Sequence, residues 1–384
     1  MSICNKAKLL IEYLRRMPCR GALFIGGMVV ALVSPVGAVE TRSYVIEWFS
    51  QASYSQDGDC PGGINPPTRR QYFESLSLLG KNPGEVETLM EKYAEGGMSQ
   101  ANVKNILRMR GRIGEKAVNG FVHPWTVADP KLTSVVGKYA YGFNLDGKIN
   151  EDSFTDPQTQ EPGVDNQLFR AMGCIEQFRG TFDYRPTFWA FIWGSMKETT
   201  PAWLVSVTGE DLESDGPVTI TFDRAIERLF FGPTGAAVSD MTYRVDPDPR
   251  SHHVFEGKIE DGVLSITEPG ELRLLLDTLS FPEFVLSNTH LRMAITPNKL
   301  DGFVGGYQPV WDYYFGIAQG GLAYEGMIVN DAPGIYHVLR RHADGNPDPE
   351  TSEFTSISAV YHLEGVPVFI VPAQAPEYSN VSSR

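Results

Sequence analysis

The 384 residues carry 33 Lys and Arg against 47 Asp and Glu, a formal net charge of −14 at pH 7. So acidic a chain disfavours bulk binding to nucleic acid or to an anionic membrane surface. Its length, with 42 % apolar residues, allows one large domain or two ordinary ones with real cores.

The first 38 residues read as a signal peptide. Lys6, Lys8, Arg15, Arg16 and Arg20 precede the apolar run Ala22 to Val33, and Val36-Gly37-Ala38 closes it with small residues, so cleavage is expected after Ala38. The apolar run is short for a membrane span, and the mature chain is expected to keep no stable one; an uncleaved anchor is the alternative. Export to the periplasm or the extracellular space follows. Cys4 and Cys19 leave with the signal, so Cys60 and Cys174 are expected to bridge in an oxidising compartment.

Residues 39 to 130 form an expected helical N-terminal region. VETRSYVIEWFS opens it as a strand or ordered arm, and the turn-rich QDGDCPGGINPP follows. Three helices are expected between Thr68 and Arg112. The first carries Tyr72, Phe73, Leu76 and Leu79 on one face. The second starts at Asn82-Pro83 with Glu85 placed for a capping box, and the third buries Val103, Ile106 and Leu107. An excess of basic residues over 65 to 120 is most simply a solvated face; the alternative is docking on an acidic surface.

Residues 131 to 175 read as a calcium-type loop and disulfide connector. Asn144, Asp146, Asn150, Asp152, Asp156, Asp165 and Asn166 crowd a short span rich in turn residues, a composition suited to a hard cation. A second loop, DGNPDPETSE, alternates Asp344, Asn346 and Asp348 and adds Glu350 through its carbonyl. The segment Asp156 to Glu161 (DPQTQE) recurs as Asp348 to Glu353 (DPETSE), each after an Asp-Gly pair. Calcium-free Asx turns use the same residue types and stand as the other explanation.

The first loop resembles dockerin-type repeats over Asn144 to Asn150, with Gly142 and Ser153 at two ligand positions. The second resembles the calcium turn of EF-hand and thrombospondin-type repeats and departs from it at Pro349 and Thr355. Both resemblances imply a structural Ca²⁺. DGDCPGGINP, FNLDGK, GVDNQLFRAMGC and RHADGNPDPETSE together resemble a family of exported bacterial proteins. That likeness implies export and no particular activity.

Residues 176 to 375 read as a mainly antiparallel β-sandwich-like domain, making the whole an α+β protein, with a tail over 376 to 384. Strands are expected at Phe188 to Trp193, Trp203 to Thr208, Val218 to Phe222, Val263 to Thr267, Phe284 to Ser287, Leu291 to Thr296 and Val366 to Val371. Helices are expected over Tyr313 to Leu322 and Gly334 to Arg341, and Leu291 to Tyr307 reads as a hairpin followed by a glycine-rich bend. On the first of these strands Trp189, Phe191 and Trp193 would share a face. With Trp203 and Trp311 they are candidates for a platform that stacks sugar rings, a core layer being the alternative.

Catalytic motifs are absent: there is no HExxH, GxSxG, SxxK, Walker or GxGxxG pattern. His252-His253 reads as a solvated loop, and Glu176, Asp183 and Asp312 lie near aromatic residues without marking a site. The expected function is an exported, calcium-stabilised binding or envelope-structural protein, its partner a carbohydrate or an envelope protein. Two alternatives are a secreted, glycoside-active hydrolase with paired carboxylates, and a subunit of a larger envelope assembly.

Overall fold

Alternating burial marks β-strand staves such as His253–Glu260 and Glu283–Thr296 in the computed structural model, which describes residues 39–65, 82–94, 108–181, 183–276, 283–318 and 331–373. The expected signal, tail and first and third N-terminal helices (1–38, 376–384, 66–81 and 95–107) lie outside the described residues. In chain order the strands are β1 (Glu40–Gln51), β2 (Gly111–Ile113), β3 (Lys116–Val118), β4 (Phe154–Thr155), β5 (Pro162–Val164), β6 (Pro201–Gly209), β7 (Gly216–Arg228), β8 (Thr242–Arg244), β9 (His253–Glu260), β10 (Val263–Ile266), β11 (Gly270–Leu275), β12 (Glu283–Thr296), β13 (Lys299–Pro309), β14 (Gly345–Pro347), β15 (Phe354–Pro367) and β16 (Phe369–Val371). The helices are α1 (Pro83–Ala94), α2 (Gln167–Met172), α3 (Thr187–Thr199), α4 (Val310–Ala318) and α5 (Ala332–Arg341).

Eight strands, β1, β6, β7, β9, β10, β12, β13 and β15, pair antiparallel with their neighbours in that order, and β15 returns to pair with β1. The protein is α+β, but the expected sandwich is a closed up-and-down barrel. Closure leaves no free edge between the first and last staves. The decisive contact is long-range: Tyr44 to Gln51 lie alongside Tyr361 to Pro367, with a bulge between Ile46 and Trp48. Local strand signals do not report which strand meets which.

The barrel is filled by side chains rather than hollow. Phe49 stacks on Tyr361 at 4.8 Å between ring centroids and meets Trp203 and Phe284 edge-on, each at 5.1 Å. Trp189 and Trp193 reach the same cluster from α3, and the Trp193 indole donates to the Glu47 carbonyl at 2.6 Å. The segment expected as the strand Phe188 to Trp193 is therefore the start of a helix. Its buried positions, Phe188, Trp189, Ile192, Trp193 and Met196, follow a spacing of three and four residues. Two of them also fit a strand's alternation, and Phe191, the residue that separates the readings, is 58 % exposed.

The staves are unequally covered. In β9 Phe255, Gly257 and Ile259 are buried between exposed residues, so that stave has one wet face. In β15 ten consecutive residues, Ser356 to Gly365, are buried, because α2, α4 and α5 and the loop from Tyr141 to Asp165 lie over it and its neighbour β13. On another side a parallel two-stranded ribbon of β8 and β16 covers Val45, Leu204 and Ala225.

Other expectations match the described residues. Asn82 Oδ1 accepts from the Glu85 amide at 2.9 Å and the Asn82 amide donates to Glu85 at 3.3 Å, a capping box that starts α1. The hairpin at Leu291 to Tyr307 is β12–β13. Its glycines sit inside a strand instead of a bend; a Cβ on Gly305 would come within 2.8 Å of the Phe143 ring, so glycine there admits the covering loop. Cys60 and Cys174 form the expected disulfide, tying the loop after β1 to the end of α2.

Candidate functional site

The repeated DPxTxE segment is a repeated turn. In the first copy Asp156 Oδ1 accepts from the amides of Gln158 (2.8 Å) and Thr159 (3.0 Å), the Gln160 amide donates back to the Asp156 carbonyl, and Gln160 has φ +60°. In the second copy Asp348 Oδ1 accepts from Glu350 (2.9 Å) and Thr351 (2.8 Å), Ser352 donates to the Asp348 carbonyl, and Ser352 has φ +61°. Each Thr hydroxyl accepts from the following Glu amide at 3.3 Å. One turn thus joins β4 to β5 and β14 to β15. The sequence identity between the copies is explained by an Asp cap and a left-handed fifth residue.

This assignment divides the expected calcium ligands. Asp156 is fully buried, caps its turn and holds Arg292, whose guanidinium lies 5.4 Å from the Phe143 ring centroid. Asp348 caps its turn, Glu350 is exposed, and Asn346 donates to Ser287 and Ser356 at 3.0 Å each. Asn166 is the N-cap of α2 and donates to the Tyr141 carbonyl. Asp156, Asp348, Asn346 and Asn166 spend their polar atoms on the fold, and the Glu350 side chain is turned to solvent.

The remaining acids converge. Asp146, Asn150, Asp152 and Asp165 from the first loop and Asp344 from the second line one open cleft of about 400 Å³, with Tyr307, His342 and Arg341. Two structural devices bring them there. Arg170 is buried, lies 4.0 Å from the Phe154 ring centroid and donates to the carbonyls of Val135 and Asp152, which folds the first loop back on itself. Asp344 accepts from the Ser358 amide (2.6 Å) and hydroxyl (2.7 Å), which fixes it against β15. The sequence-distant loops thus meet over one barrel wall.

Charge in the cleft is poorly balanced. Burial raises the Asp344 carboxyl to about 7, with Asp165 adding to the rise, and burial raises Asp165 to about 6, with Asp146 adding. Asp165 Oδ2 accepts the Leu145 and Asp146 amides, and its other oxygen has no hydrogen bond among the described residues. Among the described residues Lys148 pairs with Asp146 alone, at 3.3 Å and largely in solvent, and Arg341 is drawn to Asp129 at 2.7 Å. His342 is held neutral, burial lowering it to about 4, with its ring bonded to the Ser134 hydroxyl at 2.8 Å. Asn144 Oδ1 is buried nearby in sequence without a hydrogen-bond partner among the described residues. Still, no three His, Cys, Asp or Glu side chains among the described residues gather closely enough to form a ready metal cage.

The expected aromatic platform is dispersed. Trp189, Trp193 and Trp203 are 3 %, 5 % and 2 % exposed, inside the core. Trp311 is at the surface, 39 % exposed, against Phe315 and Trp125. Sequence reasoning also passed over a second pocket, where Asp223 and His252 meet at 2.7 Å on the outer face of the barrel. The signal available for it was the alternation of hydroxyl residues in TRS (41–43) and SVT (206–208), which places them on one strand face.

Fold and sites together define a disulfide-tied, filled up-and-down barrel with polar pockets on its outer wall. Compared with models of protein families, with curated proteins and with solved structures, the chain finds no match. Among the described residues no helix is long and apolar enough to cross a membrane.

Proposed function

We propose that the protein is an exported binding or envelope-structural protein whose acidic cleft takes a divalent cation, calcium first among them, to clamp the Tyr141–Asp165 loop to the β14–β15 hairpin. One observation carries the reading: Asp165 and Asp344, distant in sequence, face one cleft where burial raises both carboxyls above the usual range and a neighbouring carboxylate adds to each rise, Asp146 for Asp165 and Asp165 for Asp344, with no Lys or Arg bonded to either among the described residues. A hard cation relieves that repulsion. Two carboxylates, Asp146 at the rim and water would supply the oxygens Ca²⁺ prefers.

The test is thermal unfolding at pH 8, with calcium and with excess chelator. A ligand that binds only the folded state stabilises it by about 2.7 kcal/mol at a hundredfold excess over Kd. The melting temperature should rise with calcium, and the Asp165→Asn/Asp344→Asn double variant should lose the rise. Equal melting curves in calcium and chelator would end this reading.

A second reading rests on the same pair. Carboxyls poised near neutrality are suited to general acid and base work, as in glycoside hydrolysis. It requires turnover of aryl glycosides that Asp344→Asn abolishes; without turnover, the cation clamp is the role left to the pair.

A further inference from the structure

A cavity of about 540 Å³ opens on the outer face of β1, β6 and β7, under the segment after β8 and the end of β16. Its floor is a field of hydroxyls. Thr41 lies opposite Thr208, Ser43 opposite Ser206 and Ser206 opposite Thr221, so these side chains stand side by side across three staves. The Thr41 and Thr208 hydroxyls bond at 3.0 Å, and those of Ser43 and Ser206 at 3.1 Å. Two hydroxyls bonded to each other spend one hydrogen and keep the other, so each pair can still donate and accept.

Asp223 follows Thr221 by two residues and therefore shares its face. It stands across from His252, whose Nδ1 lies 2.7 Å from Asp223 Oδ1. The other Asp223 oxygen has no hydrogen bond among the described residues. The walls are apolar and stiff: Val245, Pro247, Pro249, Ile370 and Pro372. The nearby cations are committed, Arg224 to Asp246 at 3.2 Å and Arg250 to Asp248 at 2.6 Å.

We infer that this cavity is a binding site for a neutral sugar of one or two rings. A sugar edge offers neighbouring hydroxyls that donate to Asp223 and both donate to and accept from the hydroxyl floor, and its C–H face lies on proline and aliphatic walls. The volume is within the range of small-molecule sites. Three carboxylates at the cavity, two of them already neutralised, exclude an anionic ligand. A simple amine would leave the hydroxyl floor without matching partners. The site deepens the binding-protein reading by naming a ligand class. It does not depend on the cation cleft, which is built from other residues.

Titration calorimetry of the full chain with glucose, galactose, mannose, N-acetylglucosamine and cellobiose, beside putrescine and inorganic phosphate, tests it. At least one sugar should give a saturable isotherm that putrescine and phosphate do not. Thr221→Val should weaken it about tenfold, or about 1.4 kcal/mol, and Asp223→Asn should weaken it further. Since Asp223 is buried and its replacement could disturb the fold, Thr221→Val and Ser206→Ala, at half-buried positions, carry the test by themselves. The inference is overturned if no sugar saturates, if putrescine or phosphate binds in its place, or if binding is unchanged in both hydroxyl variants. Any of these leaves the calcium-dependent melting of the acidic cleft untouched, so the two readings fail separately.

Discussion

Asp344 shows how little one residue type says about its role. It is fixed by two hydrogen bonds from Ser358, yet burial and the facing Asp165 raise its carboxyl to about 7. A carboxyl raised on folding binds its proton more tightly in the folded state. Its favourable contribution is complete below about pH 4, the unfolded value, and is lost as pH rises through about 7. His342 acts in the opposite sense, its stability contribution lost as pH falls below about 6.5 toward 4, so wild-type melting alone mixes the two. Asp344→Asn removes one of them. In chelator, the stability of Asp344→Asn relative to wild type should increase between pH 5 and pH 8, followed by urea unfolding at each pH. A constant difference would show that Asp344 is already ionised at pH 5.

At the scale of elements, one local sequence serves two environments. The DPxTxE turns share hydrogen bonds residue for residue, but Asp156 is buried against Arg292 and Asp348 caps a turn near solvent. Asp156→Ala should cost about 3 kcal/mol, near the low end for breaking a buried ion pair. Asp348→Ala should cost clearly less, since only the hydrogen bonds of a solvated turn are lost. Comparing the two in urea unfolding checks the assignment; equal costs would contradict it. The disulfide belongs to this scale too. By the chain-entropy estimate, a bridge closing a loop this long contributes roughly 4 to 5 kcal/mol, and its position joins the turn after β1 to α2 beneath the covering loop.

The whole molecule is a barrel with one thickly covered wall. β13 and β15 are buried on both faces, while β9 and β10 keep exposed residues on the outside. Amides with few routes to water open only with the global fold. Native-state hydrogen exchange should therefore be slowest in β13 and β15 and measurably faster in β9 and β10. Uniform protection around the barrel would mean that the covering loop and helices add nothing to its stability. The acidic cleft belongs to the covered wall, so a cation bound there should slow exchange in the β14–β15 hairpin first.

Much of this protein was legible from its residues, wherever a feature depends on neighbours within a few positions. The capping box of α1, the β12–β13 hairpin, α5 and the strands β6, β7 and β10 follow from spacing and turn chemistry, whereas the staves β9 and β15 were not among the expected strands. Reading the first 38 residues as a signal sets two cysteines aside, and the two others permit one pairing, Cys60–Cys174. The acid-rich loops were found as well, although two of their acids turned out to cap turns, a choice that depends on backbone dihedrals no composition reveals. Trp189 and Trp193 fit a strand and a helix equally, and only the burial of Ile192 and Met196 beside them separates the two. Barrel closure, the meeting of Asp165 with Asp344, and the alignment of Thr41, Ser206 and Thr221 were decided by tertiary structure alone. Each joins segments far apart in the chain, and which distant strand becomes a neighbour depends on packing of the whole core, not on any local run of residues.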